Sequence, residues 1–415
     1  MYYPRIADNE LTNRLASAGA VVIEGPKACG KTAMARQIAK SEVLLDVDEN
    51  ARQAIAVDPK LVLAGDVPRL IDEWQLEPSI WNHIRRMVDD RRRSGQFILT
   101  GSAIPADDIT RHTGAGRISR LKLRTMSLLE MGVSAGKVSL GDLFNGNFST
   151  AVDPGLSLQD IVEHLCRGGW PGNIGLSGKA HLLAQRDYLE EIQRLDISRV
   201  DGVRRDLNSV KRVIRSLARN VATLVSLRTI AIDAGGPDGP LDEDTIRSYL
   251  LALQRLMIYE EQPAWSPALR SRSILRKSPK RHFIDPSLAV AALGATPDAL
   301  LQDLNTLGFL FESMVYRDLC VYARANDASV YHYRDNTGLE VDMIVADEKG
   351  RWCAFEVKLG AGQVDKAAAS LLKFSNRIDT RKSGPSAMLA VIVSSGYGYM
   401  RPDGVAVIPV GVLGP

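Results

Sequence analysis

The sequence predicts an α/β protein in three parts: a parallel sheet with helices on its faces, a mostly helical middle, and a second compact α/β unit. Three observations carry this reading. Up to about residue 150, short apolar runs alternate with amphipathic stretches, the pattern of a sheet covered on both sides. Residues 25–32 read Gly-Pro-Lys-Ala-Cys-Gly-Lys-Thr between an apolar run and a helical stretch. After about residue 300 a helix and a new series of strand-like runs begin. At 415 residues the chain exceeds one ordinary domain, and the boundaries fall at 1–150, 151–295 and 296–415.

In the first part, Ala20–Glu24 reads as a buried strand, followed by the Gly-rich loop and a helix from Lys31 to about Lys40. Further strands are expected at Val43–Val47, Arg69–Glu73 and Gln96–Gly101. The middle opens with the turn Arg167-Gly168-Gly169-Trp170-Pro171-Gly172, which breaks any helix there. Leu227–Ala231, a Gly/Pro/Asp loop, a helix starting at Asp242 and a strand at Ile258–Glu261 follow. Helix, turn, helix, then hairpin is a winged-helix pattern, and such modules meet DNA or other proteins. In the third part, a helix over Leu307–Ala323 precedes strands at Val330–Tyr333, Glu340–Val345 and Trp352–Val357. A helix near Asp365–Phe374 and a strand at Ala387–Val393 complete it.

Composition narrows the setting. The chain is 45% hydrophobic and 24% charged, which is globular, and no run approaches a membrane span. Residues 1–5 lead into polar sequence, which predicts no secretory signal. Four widely spaced cysteines form no metal-type pair and fit a reduced cytoplasm. A net charge of +3 decides nothing, but two basic sets stand out. One comprises Arg270, Arg272, Arg276, Lys277, Lys280 and Arg281; the other comprises Arg204, Arg205, Lys211, Arg212, Arg215 and Arg219. Each is either a solvated face or a contact for nucleic acid.

A G-x-x-x-x-G-K-[S/T] loop wraps backbone N–H groups around phosphate at a helix N-terminus. Here Gly25, Pro26, Lys27, Ala28, Cys29 and Gly30 would form the wrap, Lys31 would reach the β- and γ-phosphates, and Thr32 would bind Mg²⁺. Asp72, at the end of an apolar run, would hold the same ion, and Glu73 would polarise the attacking water. Ser102, after Thr100-Gly101, is placed to sense the γ-phosphate. ATP and Mg²⁺ are the cofactors expected.

With these pieces in view, the chain resembles the AAA-type ATPases that bacteria and archaea carry fused to a C-terminal domain of unknown function. Besides Gly25–Thr32, Ile71-Asp72-Glu73 and Leu99–Ser102, the matching residues are Leu45-Asp46, Gly116-Arg117 and Leu128-Leu129-Glu130. Later matches are Arg167–Pro171, Phe283-Ile284-Asp285-Pro286, Gly308–Glu312, Gly338–Asp342 and Phe355–Lys358. The resemblance implies Arg117 as an arginine finger acting on a neighbouring subunit, with Arg111 and Arg120 as rivals. It also implies a homo-oligomeric ring, a hexamer foremost.

Glu312 on a helix, Asp342 on one strand, and Glu356 with Lys358 on the next form a second set. Glu356 and Lys358, two apart, share a strand face, and Asp342 with Glu356 can converge on Mg²⁺ beside a lysine that orients a metal-bound water. The arrangement resembles the core of restriction-endonuclease-like nucleases, with Glu312 as an extra acid. A weaker alternative is that Glu340 and Asp342 are simply the polar face of an edge strand. Cys29 reads as a small loop residue facing away from phosphate, Trp74 and Trp81 as core, and His332 as a surface residue. The combined expectation is an oligomeric ATPase whose cycle drives DNA binding or processing. The competing expectation is an ATP-controlled assembly or regulatory protein that keeps an inactive nuclease fold.

Overall fold

The computed structural model describes residues 2–103, 113–267 and 278–415. Strands β1 (Ala20–Glu24), β2 (Ser41–Leu44), β3 (Arg69–Asp72), β4 (Phe97–Gly101) and β5 (Ile118–Lys122) form one sheet in the order β2-β3-β4-β1-β5. Every neighbouring pair is parallel. Alternate side chains feed two cores, as the period of two requires. Val21, Ile23, Leu70, Ile98 and Leu121 pack to one side. Ala20, Val22, Ile71, Phe97 and Leu99 pack to the other, with Trp74 and Trp81 in tilted ring contact, 4.9 Å between centroids. The second strand begins and ends earlier than its apolar run suggests. The helix after the loop spans only Lys31–Ala35 and continues as turns.

Two short strands then leave this sheet for the far end of the chain. β6 (Val138–Ser139) pairs with Leu413–Gly414, and β7 (Ala151–Val152) pairs with Tyr397–Met400. The middle is helical: Leu158–Arg167, Lys179–Glu191, Leu207–Arg219, Leu227–Gly235 and Glu243–Arg255. Ser157 and Asp160 form a capping box on the first of these, and Gly168, at φ 72°, ends it. Lys179–Glu191 runs on through a wide turn, Ile192–Asp196, hydrogen-bonded in the π pattern. A hairpin follows, β8 (Tyr259–Gln262) antiparallel to β9 (Lys280–Phe283), and then the helix Pro286–Leu293.

The 21-residue helix Leu304–Arg324 is buried on nearly every side from Leu310 to Ala323. It carries β10 (Ala328–Arg334), β11 (Glu340–Asp347) and β12 (Trp352–Lys358), which form an antiparallel meander. The helix Val364–Ser375 returns the chain to β13 (Met388–Val393), parallel to β12. β14 (Tyr397–Met400) and β15 (Ala406–Pro409) extend the sheet, β15 parallel to β13, and β16 (Leu413–Gly414) turns back to β6. No helix among the described residues is long and apolar enough to cross a membrane.

The two basic sets are divided by this fold. Arg270, Arg272, Arg276 and Lys277, like Arg111, lie outside the described residues. Lys280 and Arg281 are not a solvated face: both are buried and ion-paired. In the helical set, Arg205 is paired with Asp201 and Arg212 donates to the Ala234 carbonyl. Lys211, Arg215 and Arg219 remain exposed on one face at i, i+4 and i+8. His332, read as a surface residue, is buried, its Nε2 3.2 Å from the Ser278 carbonyl.

Candidate functional sites

The Gly-rich loop joins the C-terminal end of β1 to the N-terminus of Lys31–Ala35. Ala28 and Gly30 hold φ of 60° and 102°, the left-handed turn that lets successive N–H groups face one concavity. Gly25 is required by contact, since a Cβ there would run into the Leu123 carbonyl. Cys29 is buried with its Sγ 3.8 Å from that same carbonyl. Lys31 is buried and donates from Nζ to the Gly25 and Pro26 carbonyls at 3.0 and 2.8 Å. Thr32 Oγ1 donates to Asp72 Oδ1 at 2.8 Å, and Thr100 donates to the same oxygen. The parallel register brings Thr32, Asp72 and Thr100 together at the carboxyl ends of β1, β3 and β4. These groups fit Mg²⁺: a hydroxyl and a carboxylate oxygen already face each other at the edge of the loop.

Glu73 takes φ 52°, leaving the strand line of Asp72. Its Oε2 accepts from Ser102 Oγ at 3.1 Å and also from Gln75. Glu73 and Ser102 are thus in direct contact beside the loop. Arg117 lies elsewhere. It precedes β5, and its carbonyl accepts from Ala20 N at the opposite end of β1 from its own phosphate loop. Its guanidinium bonds Asp89 at 2.7 Å. Arg120 pairs with Glu24 and lies over the Trp81 ring.

Groups outside the predicted set fix the loop from behind. Arg5 donates to the Cys29 carbonyl at 2.9 Å and to the Arg124 carbonyl at 2.8 Å, and is ion-paired with Glu130 at 3.1 Å. From the middle region, Asp196 pairs with Lys27 at 2.7 Å and Tyr188 donates to the Lys27 carbonyl at 3.2 Å. The sequence offers no signal for these contacts, because Arg5 and Asp196 are isolated charges far from the loop in the chain.

Arg124 and Lys122 also grip Glu260 on β8. Burial opposes the charge of Glu260, but the two cations hold its carboxyl down at about 2. A depressed carboxyl stabilises the fold above its unfolded value and loses that contribution as pH falls toward its folded value. We expect Glu260→Gln to be less stable at pH 7 by on the order of 3 kcal/mol. The deficit should shrink between about pH 4.5 and 2 in thermal melts; a pH-independent deficit would refute it.

The second cluster lies in a cleft between Leu304–Arg324, β11, β12 and Val364–Ser375. Its predicted members meet. Lys358 Nζ is 3.1 Å from Asp342 and 2.7 Å from Glu356, and Val357 N donates to Asp342 at 2.9 Å. Glu312 enters from the helix. Lys280 was not predicted here: its Nζ lies 2.7 Å from Glu312, 3.0 Å from Glu340 and 3.4 Å from Asp342. Burial, with Asp342 adding to it, pushes Glu312 and Glu356 up. Burial also opposes charge on Asp342, but Lys280 and Lys358 pull it below the usual carboxylate range. Both lysines are held charged against burial by the carboxylates. Ammonium groups thus engage at least one oxygen of each carboxylate: Lys280 on Glu312, Glu340 and Asp342, and Lys358 on Asp342 and Glu356.

Residues 17–132 match the family described as AAA domain. Residues 158–299 and 307–413 match two families described as domains of unknown function, DUF8612 and DUF4143. Uncharacterized proteins of Mycobacterium tuberculosis (Rv2008c) and Mycobacterium bovis (Mb2031c) are each 26% identical over 360 residues, covering 85% of this chain and 73% of theirs. Among solved structures, the Walker-type ATPase PABY2304 of Pyrococcus abyssi overlaps 70% of this chain and 96% of its own, with TM-score 0.44 and 13% identity.

Proposed function

We propose that the chain hydrolyses ATP with Mg²⁺ and couples the cycle to nucleic acid, DNA foremost, through its middle and C-terminal parts. The observation that supports hydrolysis most directly is the convergence of Lys31, Thr32, Asp72 and Glu73 at one edge of the parallel sheet. Lys31 would leave the loop carbonyls for phosphate, Thr32 and Asp72 would hold the metal, and Glu73 would polarise water under the control of Ser102. Arg117 sits at the far end of its own β1, so a finger role would require the loop of a neighbouring subunit. That position supports a ring, with a hexamer as the working number.

The nucleic-acid reading rests on three features. Leu227–Gly235, Glu243–Arg255 and the β8–β9 hairpin follow one another as in a winged helix. Lys211, Arg215 and Arg219 expose a cationic row. Helix, three-strand meander, helix and parallel strand match the order of a nuclease core, with Glu312, Asp342, Glu356 and Lys358 in one cleft. As working units we take residues 1–150, 151–295 and 296–415.

ATP turnover with and without duplex DNA, over a salt series, tests the coupling. Several-fold stimulation at low salt, falling steeply as salt rises, is the expected result. Turnover indifferent to DNA at low salt favours a second reading, a nucleotide-controlled assembly or regulatory protein whose nuclease-like fold does not cut. The occupation of the carboxylate cluster by Lys280 speaks for that second reading.

A further inference from the structure

We infer that Lys280 is the resident cation of the C-terminal carboxylate cluster, a tethered ammonium that closes the site to divalent metal. The inference rests on reading the cluster as the counterpart of a nuclease metal site. Lys280 Nζ touches three carboxylates, one from the helix (Glu312) and two from β11 (Glu340, Asp342). Its side chain is 2% exposed, and a lysine is buried to that degree only when it is paired. A metal ion held by Glu312 and Asp342 would have to sit within a few ångströms of this ammonium, so the two cations compete by charge and by space.

The lysine is delivered from outside the C-terminal unit. β9 pairs with β8, its Arg281 forms a backbone bridge with Thr223, and Ala264 just after β8 bridges His332 on β10; side chains add to this anchoring over the cluster. His282 bonds Ser313 and Gln262, both at 3.1 Å, and Gln262 donates to the Asp342 carbonyl at 3.0 Å. On its other strand, Glu260 is held by Lys122 and Arg124 at the end of β5. Arg124 in turn offers its carbonyl to Arg5, which also holds the Cys29 carbonyl of the phosphate loop. The hairpin therefore bridges the first part of the chain and the carboxylates.

Mn²⁺ titration of the full chain, followed by electron paramagnetic resonance without nucleotide, tests this, because the readout does not depend on ATP turnover or on DNA. In the unaltered protein, Asp342→Asn should change Mn²⁺ binding less than twofold. Lys280→Met should gain one Mn²⁺ per chain at least tenfold tighter, and adding Asp342→Asn should remove it. Lys280→Gln, which keeps a polar group of similar length, repeats the test should the methionine variant not fold. Tight Mn²⁺ binding by the unaltered protein that Asp342→Asn removes would overturn the inference. So would a folded Lys280 variant that gains no site. If ATP turnover fails to respond to DNA while the Lys280 variants gain Mn²⁺, the coupling reading falls and this one stands.

Discussion

Lys31→Ala is expected to lower ATP turnover by at least about a hundredfold, the loss typical of removing one preorganised charge from a developing transition state. Lys31 is buried, and its Nζ donates to the Gly25 and Pro26 carbonyls. Those bonds hold the ammonium at the loop, where phosphate oxygens can replace two neutral acceptors with charged ones. Alanine leaves the loop carbonyls without their cation and the phosphates without their counter-charge. The fold should survive, because the loop is also fixed by Arg5 at Cys29 and by Gly25 against Leu123. Phosphate release by the purified variant measures the effect; turnover within threefold of the parent would remove Lys31 from the site.

Asp285→Ala is expected to destabilise the protein by about 3–5 kcal/mol, the cost of stranding one partner of a buried pair. Asp285 and Arg317 are 0% and 1% exposed, and their contact is 3.1 Å. The same carboxylate accepts from Gly169 N at 2.9 Å and from Ser287 N at 3.0 Å, capping the helix Pro286–Leu293. One residue thus ties the turn Gly168-Gly169-Trp170-Pro171 to two helices. Asp318, 2.7 Å from Arg317, keeps that cation partly paired, so the loss should not reach the cost of a fully isolated charge. In a chain of this size a fall in Tm of roughly 3–6 °C is expected, with Asp285→Asn intermediate. A shift under 2 °C would show that the turn is held by other contacts. Because the Pro171 ring would stand 3.6 Å from a Cβ at Gly30, the same loss should loosen the phosphate loop.

The first sheet was legible because its signals are local. Apolar runs of four or five residues, a Gly-rich loop and Asp72 at a strand end each carry their meaning within a short window. The gathering of Glu312, Asp342, Glu356 and Lys358 was legible in part, since Glu356 and Lys358 share a face by strand period. Lys280 was not, because its meaning depends on acids 32 and 62 residues away. In the sequence it stands in a basic run that reads as either a solvated face or a nucleic-acid contact, and Glu340 has no assigned role beyond the polar face of an edge strand. His332 was misread for a related reason: a polar residue in a strand reveals its burial only when the neighbouring elements are placed. Arg5 and Asp196 behave likewise, as single charges whose partners come from other parts of the chain.

The short pairings of β6 with β16 and of β7 with β14 bear on how the chain is made. Ser139 and Pro415, joined by a 2.6 Å hydrogen bond, are 276 residues apart in sequence. On a ribosome the first sheet can close while synthesis continues, since its strands all lie before residue 123. The segment carrying β6 and β7 must wait, its backbone groups solvated, until the last strands emerge. The entropy of closing so long a loop grows only as its logarithm, so the delay is one of order rather than of stability. Assembly therefore finishes by stitching late strands onto an early segment.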